Sequence, residues 1–163
     1  MDRKVLCLFH GNCYDGFGAA WAVRHWAKRN NVEVEYRGTA TGKEPEDTAG
    51  FTDIFMCDFS YPYEVVENYW NKGHHIVIMD HHKSNAEDPK LGRLHCPDYK
   101  NLDDILDNNG MWAIFYMNRS GAGLVWDILN PDEERPMLIN YIEDRDIWNN
   151  KLPNTLEHNA SIM

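Results

Sequence analysis

The sequence predicts an α/β fold built on a mostly parallel sheet, and two observations lead there. Three short apolar runs, Val5 to Phe9, Ile54 to Cys57 and Ile76 to Met79, are rich in β-branched, aromatic or other bulky apolar residues and too short for helices. Helix-compatible stretches alternate with them, the order expected of βαβ units.

The elements follow in order. Val5 to Phe9 is the first buried strand. Phe17 to Arg29 reads as a helix: Ala19, Ala20, Trp21, Ala22, Val23 and Trp26 suit it, and Lys28 and Arg29 place cations in the last turn. Val32-Glu33-Val34-Glu35-Tyr36 alternates apolar and charged residues, as a half-exposed edge strand does. After the strand at Ile54, Tyr63 to Trp70 reads as a helix with Pro62 at its first turn and Gly73 beyond its end. Residues 83 to 111 are rich in Asn, Asp, Gly and Pro and read as loop, with a short helix at Leu102 to Leu106. Helices are expected from Ser120 to Leu129, closed by Asn130-Pro131, and from Glu133 to Asp146. No element is assigned to the last residues. The pattern is that of a Rossmann-like sheet flanked by helices, with one domain over 1–149 and a tail over 150–163.

Size and charge narrow the function. A chain of 163 residues can bury roughly 70% of its extended surface and needs neither disulfide nor metal merely to fold. No apolar run approaches the roughly 18 residues of a membrane helix, and Val5 to Phe9 is too short for a signal-peptide core. Four cysteines (Cys7, Cys13, Cys57, Cys96) form no CxxC pair, which favours a reducing, cytoplasmic setting. The formal net charge of −10 argues against long duplex DNA held by phosphate neutralisation. An anionic substrate would need a bound metal or a local basic spot.

The chemistry gathers where strands end. His10 closes the first strand, with Asn12, Cys13 and Asp15 just after it. Asp58 follows the strand ending at Cys57, and Asp80-His81-His82 follows the strand ending at Met79. Ligands of open α/β sheets collect at the carboxyl ends of strands, so three strands would deliver His and Asp to one edge. Imidazole with carboxylate suits a borderline divalent ion such as Mn, Fe, Co or Zn. A further carboxylate would come from Asp144 or Asp146. Taken singly, each residue also reads as a turn former or helix cap.

These residues together resemble the motifs of the DHH phosphoesterase superfamily. Asp80-His81-His82 is similar to the signature that names it. His10-Gly11-Asn12-Cys13-Tyr14-Asp15-Gly16-Phe17-Gly18 resembles its first motif, Asp58 in Cys57-Asp58-Phe59-Ser60 its second, and Asp144-Arg145-Asp146-Ile147-Trp148 its fourth. Ser120-Gly121-Ala122-Gly123 resembles a small-residue helix start between the last two. The resemblance spans about residues 5 to 149 and extends to members that cleave short oligonucleotides, cyclic dinucleotides or polyphosphate.

What it implies is a hydrolase with two metal ions, usually Mn²⁺, with Mg²⁺, Co²⁺ or Fe²⁺ as alternatives. His10 would bind the first ion; Asp15, His81 and Asp144 the second; Asp58 would bridge them. His82 would face the phosphate and Asp80 would support the His pair. Lys83, Arg93, Arg119 and Arg145 are the candidate phosphate contacts. The chain departs from the family in two ways. Cys13 stands where the family has an Asp, and could ligate as a thiolate. The family's closing domain is expected to be missing here, or supplied by another subunit, as in a homo-oligomer. Met111 to Met117 could stack bases, or form core or a subunit contact. The rival reading is a catalytically degenerate module that binds metal or nucleotide to sequester a ligand or regulate a partner.

Overall fold

A computed structural model describes residues 2–96, 102–147 and 151–152. Its centre is one five-stranded sheet with every pairing parallel. The strands are β1 (Lys4–His10), β2 (Glu33–Thr39), β3 (Asp53–Cys57), β4 (His75–Asp80) and β5 (Met111–Phe115), in the order β2-β1-β3-β4-β5. The α/β class, the parallel sheet and the edge position of the alternating strand are as the sequence predicts.

Side chains alternate strictly across this sheet. Val5, Cys7, Phe55, Cys57, Val77 and Met79 enter one core, and Leu6, Leu8, Ile54, Met56, Ile76 and Ile78 enter the other. Strands buried on both faces must be apolar throughout, which is why these runs look continuous in the sequence. Helices α1 (Tyr14–Asn30), α5 (Gly121–Leu129) and α6 (Met137–Asp146) contribute to the first core. Helix α2 (Tyr63–Asn71) contributes to the second. Two short helices, α3 (Lys83–Ala86) and α4 (Leu102–Asp107), and a 3₁₀ turn (Gly92–Leu94) occupy the stretch expected to be mostly loop.

Two expectations change. Met111 to Phe115 is a fifth strand, hydrogen-bonded to β4, with Ala113, Ile114 and Phe115 buried. Those three side chains are core, one of the roles expected of this segment, while Trp112 and Tyr116 are partly buried. The last helix starts at Met137 rather than at Glu133, because Pro136 fixes an extended φ/ψ at its N-cap. Of the expected tail, only Lys151 and Leu152 lie within the described residues, and Trp148 falls outside them.

Candidate metal centre

Strands β1, β3 and β4 run parallel and end at the same edge. The strand order 2-1-3-4-5 reverses direction between β1 and β3, the crevice where open α/β sheets bind ligands. His10 is the last residue of β1, Asp58 follows β3, and His81 and His82 follow β4. Asp15 arrives from the first turn of α1. The sheet topology alone therefore gathers residues more than sixty positions apart in sequence.

Local backbone aims them. Asp58 has φ +64°, a left-handed conformation that Asp tolerates better than most residues. Its N–H donates to the Met79 carbonyl at 2.9 Å, tying the two strand ends together. Gly121 packs on the Asp58 side chain so closely that a Cβ there would fall 2.5 Å from Oδ1. Gly16 is equally constrained, because a Cβ would collide with the His10 carbonyl. Asp15 is captured by the N-terminus of α5: Gly121 N–H donates to its Oδ2 and Ala122 N–H to its Oδ1, both at 2.7 Å.

The side chains form two adjoining groups that share Asp58's surroundings. In the first, Asp58 Oδ2 lies 3.5 Å from His10 Nδ1 and 3.8 Å from Cys13 Sγ. In the second, His81 Nε2 lies 3.1 Å from Asp15 Oδ2, and His81 Nδ1 lies 3.6 Å from Asp146 Oδ2. Asp58 Oδ1 reaches toward this second group, 2.9 Å from His81 Nε2. His10, Cys13 and Asp58 offer three ligand atoms within 4.8 Å of one another, as do Asp15, His81 and Asp146; Asp58, Asp80, His81 and His82 form a third such group, of four.

Asp80 stands behind the pair of imidazoles. It is wholly buried; Oδ1 accepts from the His81 N–H at 2.8 Å and from His82 Nδ1 at 2.7 Å, and Oδ2 accepts from Asn85 Nδ2 at 2.6 Å. With Nδ1 the donor, His82 turns Nε2 away from Asp80. Its ring lies 4.6 Å from that of His81 and 6.0 Å from that of His10, centre to centre, and it is the more exposed of the pair that follows β4.

Electrostatics mark this edge as anionic. Burial, then the charge of Asp58, pushes the Asp15 carboxyl above the usual carboxylate range. Burial and Asp15 push Asp146 up to about 6. Burial alone would lower His81, but its contacts with Asp15 and Asp58 outweigh it and raise it to about 11. The hydrogen bond to Asp58 raises His10 and that to Asp80 raises His82. Burial also raises the Cys13 thiol. Carboxylates that cling to protons and imidazoles that refuse to lose them describe a cluster short of positive charge.

The donor set fits a divalent ion. His10 Nδ1 and Asp58 Oδ1 are buried atoms whose neighbours here are other candidate ligands: Asp58 Oδ2 lies 3.5 Å from the first and His81 Nε2 2.9 Å from the second. A carboxylate 1% exposed calls for compensating positive charge, from a protonated imidazole or from an ion. Nitrogen, oxygen and sulfur donors together suit a borderline transition ion.

The structure thus brings together His10, Cys13, Asp15, Asp58, Asp80, His81 and His82. It corrects the expectation for Asp144. That carboxylate accepts from the backbone N–H groups of Lys151 and Leu152 at 2.8 and 3.0 Å, and Asp146 is the one beside His81. Two residues apart on a helix is about 200° of rotation, so only one of the pair can face the site. Of the expected phosphate contacts, Arg145 lies over the Tyr14 ring at 4.5 Å and donates to its hydroxyl at 2.9 Å. Arg145, Tyr14, Asp15, Ile142 and Asp146 line a cleft of about 250 Å³. Lys83 is exposed and pairs with Glu87; Arg119 pairs with Asp127 and lies over Tyr116; Arg93 lines a separate cleft with Tyr63 and Lys90.

Two supports were not anticipated from sequence. Asn85 holds Asp80. Glu143 accepts from the Ser120 N–H and hydroxyl and from Arg135, which in turn forks onto Asp127; together these hold the start of α5 against Asp15. Neither had a local signal, since each works through a partner distant in sequence or reads as an ordinary turn residue.

The fold and site define an α/β protein with His, Cys and Asp groups able to hold a divalent ion at the switch point of a parallel sheet. No known family profile matches the chain. It is 31% identical over 168 residues to an uncharacterized protein of Acanthamoeba polyphaga mimivirus, covering 96% of this chain and 36% of that one. The crystal structure of the exonuclease RecJ bound to manganese covers the same shares, with 10% identity and a TM-score of 0.48. The chain spans about a third of the length of either, and a structural likeness of that size carries no functional argument. Among the described residues, no helix is long and apolar enough to cross a membrane.

Proposed function

We propose that this protein is a metal-dependent phosphohydrolase that cleaves a phosphodiester or phosphoanhydride bond in a small substrate. The observation that carries the reading is Asp58: a buried carboxylate with Oδ2 toward His10 and Cys13 and Oδ1 toward His81, between the two three-ligand groups. A pair of divalent ions there, Mn²⁺ first among the candidates, would activate water for in-line attack and neutralise the leaving oxygen. His10, Cys13 and Asp58 would hold one; Asp15, His81 and Asp146 the other, with Asp58 between them. That ligand set departs from the motif resemblance at Cys13, where the family has an Asp, and in using Asp146 in place of Asp144.

The remaining residues supply binding and orientation. Asp80 fixes the His82 imidazole and the backbone of His81, leaving His82 Nε2 to hydrogen-bond a phosphate oxygen. The raised pKa of His82 favours the protonated form, which suits an anion. Arg145, on the wall of the cleft beside Asp15 and Asp146, is the best-placed cation for a second phosphate oxygen, and Tyr14 holds its guanidinium in place. Short oligonucleotides, cyclic dinucleotides and polyphosphate are the substrates we propose, because the cleft is small and the net charge of −10 disfavours long duplex DNA.

The test is product release from a dinucleotide, a cyclic dinucleotide and polyphosphate, with and without Mn²⁺. Cleavage of one of them, dependent on the ion and abolished by Asp58→Asn, is the expected result. Tight binding of ion and nucleotide with no cleavage would instead favour the ligand-sequestering module, which the Cys13 substitution motivates.

A further inference from the structure

We infer that the two ion positions differ in kind, with Cys13 making the one between β1 and β3 a thiolate site for a thiophilic ion such as Zn²⁺ or Fe²⁺. This rests on the two-ion reading above and concerns which ion each group selects.

Cys13 occupies the N-cap of α1, with extended φ −141° and ψ 134°, and its side chain makes no cap hydrogen bond. Ser, Thr, Asp and Asn are the residues that stabilise an N-cap, and a thiol contributes little there. The position is therefore poorly used from the helix's standpoint. Sγ is turned instead toward Asp58 Oδ2, at 3.8 Å. His10 Nδ1, the third atom of this group, is buried 3.5 Å from Asp58 Oδ2. Asp58, 1% exposed, turns Oδ2 into this group, so a buried carboxylate, a buried imidazole nitrogen and a sulfur converge on one spot.

The other group, Asp15, His81 and Asp146, has no sulfur. Thiolate with imidazole selects Zn²⁺, Fe²⁺ or Co²⁺ over Mn²⁺ and Mg²⁺; two carboxylates with one imidazole accept the harder ions. Binding at the first position breaks the S–H bond, forms a sulfur–metal bond and releases the proton to solvent. The remaining thiols do not compete: Cys7 and Cys57 are fully buried in the sheet, and Cys96 belongs to neither group.

Cobalt titration of the metal-free protein tests this, because a thiolate ligand gives Co²⁺ a near-ultraviolet charge-transfer band. Two equivalents should bind, and the band should have the intensity of a single thiolate. Cys13→Ser should still bind two equivalents, without the band, and lose about tenfold or more of the preference for Zn²⁺ over Mn²⁺. Serine is a good N-cap, so this variant should melt no lower than the parent. Cys96→Ser should keep the band. Two equivalents without a band, or a band that survives in Cys13→Ser, would overturn the inference and leave the two-ion reading standing. A single equivalent that carries a Cys13-dependent band would do the reverse. Binding of no ion would overturn both.

Discussion

The two ends of the sheet hold the same residue types and put them to different use. At the amino end, buried Asp53 lies 3.4 Å from Arg3 Nε and accepts from Thr52 Oγ1 at 2.5 Å. His75 beside it, 3.9 Å away, is pushed below its ordinary pKa by burial and stays neutral. At the carboxyl end, Asp58, Asp15 and Asp146 have no guanidinium or ammonium paired with them among the described residues. Imidazoles, backbone N–H groups and the Cys13 thiol face them instead, and His81 is driven up to about 11. A buried Asp–His pair is therefore not itself a sign of function. What distinguishes a site is negative charge left uncompensated by any permanent cation, in a place where the backbone goes to some lengths to keep it.

Exchanging the charge at the two ends should separate them most sharply. Asp58→Asn should lower turnover by several orders of magnitude and reduce bound metal while the fold persists, measured by product release, metal analysis and circular dichroism. Near-normal turnover would remove the two-ion mechanism. Asn85→Ala loosens Asp80, which orients His82, and should cost up to about 10-fold in activity, less than the roughly 10–100-fold usual for a residue bonded directly to a metal-ligating His.

A pH series sharpens the same contrast. Without metal, folded Asp146 titrates at about 6, above the unfolded carboxylate near 3.9. Its contribution to stability is complete below the unfolded value and is lost as pH rises through about 6. A cation replaces the proton, so the gain in Tm from saturating Mn²⁺ should grow between pH 5 and 8. A gain that is flat or shrinks would mean that Asp146 is not a ligand.

The smallest effects concern packing and the amino end. Gly121→Ala should destabilise by about 1–3 kcal/mol, because the methyl must displace Asp58 or the start of α5. Denaturant unfolding and activity should fall together. Asp53→Asn should cost about 1–3 kcal/mol of stability through the lost charge on Arg3 and Thr52, with turnover and bound metal unchanged. A loss of metal there would erase the distinction between the two ends.

Much of this was legible in the sequence because local pattern and tertiary placement agree in a parallel sheet. Apolar runs buried on both faces are conspicuous, and the residue after each is bound to sit at the same edge. Strand β5 was harder to see. Met111-Trp112-Ala113-Ile114-Phe115 has one β-branched residue, and its strand character comes from pairing with β4, 35 residues away in register at Ile76↔Met111. Asp146 rather than Asp144 depends on the rotation of α6 about its axis, which is set by Ile139 and Ile142 packing against α1 and α5 and not by the acidic stretch itself. The hold of Glu143 on Ser120 spans 23 residues and leaves no trace in either segment.

The grip of the α5 N-terminus on Asp15 has a kinetic meaning. Both oxygens of that carboxylate are already moored by Gly121 and Ala122 before any ion arrives. The site does not have to assemble around its cargo, so capture should run at the pace at which the hydrated ion sheds its waters, and release should be governed by ligand strength instead of by opening of the fold. A protein built this way would exchange ions quickly as supply changes, while its scaffold stays still.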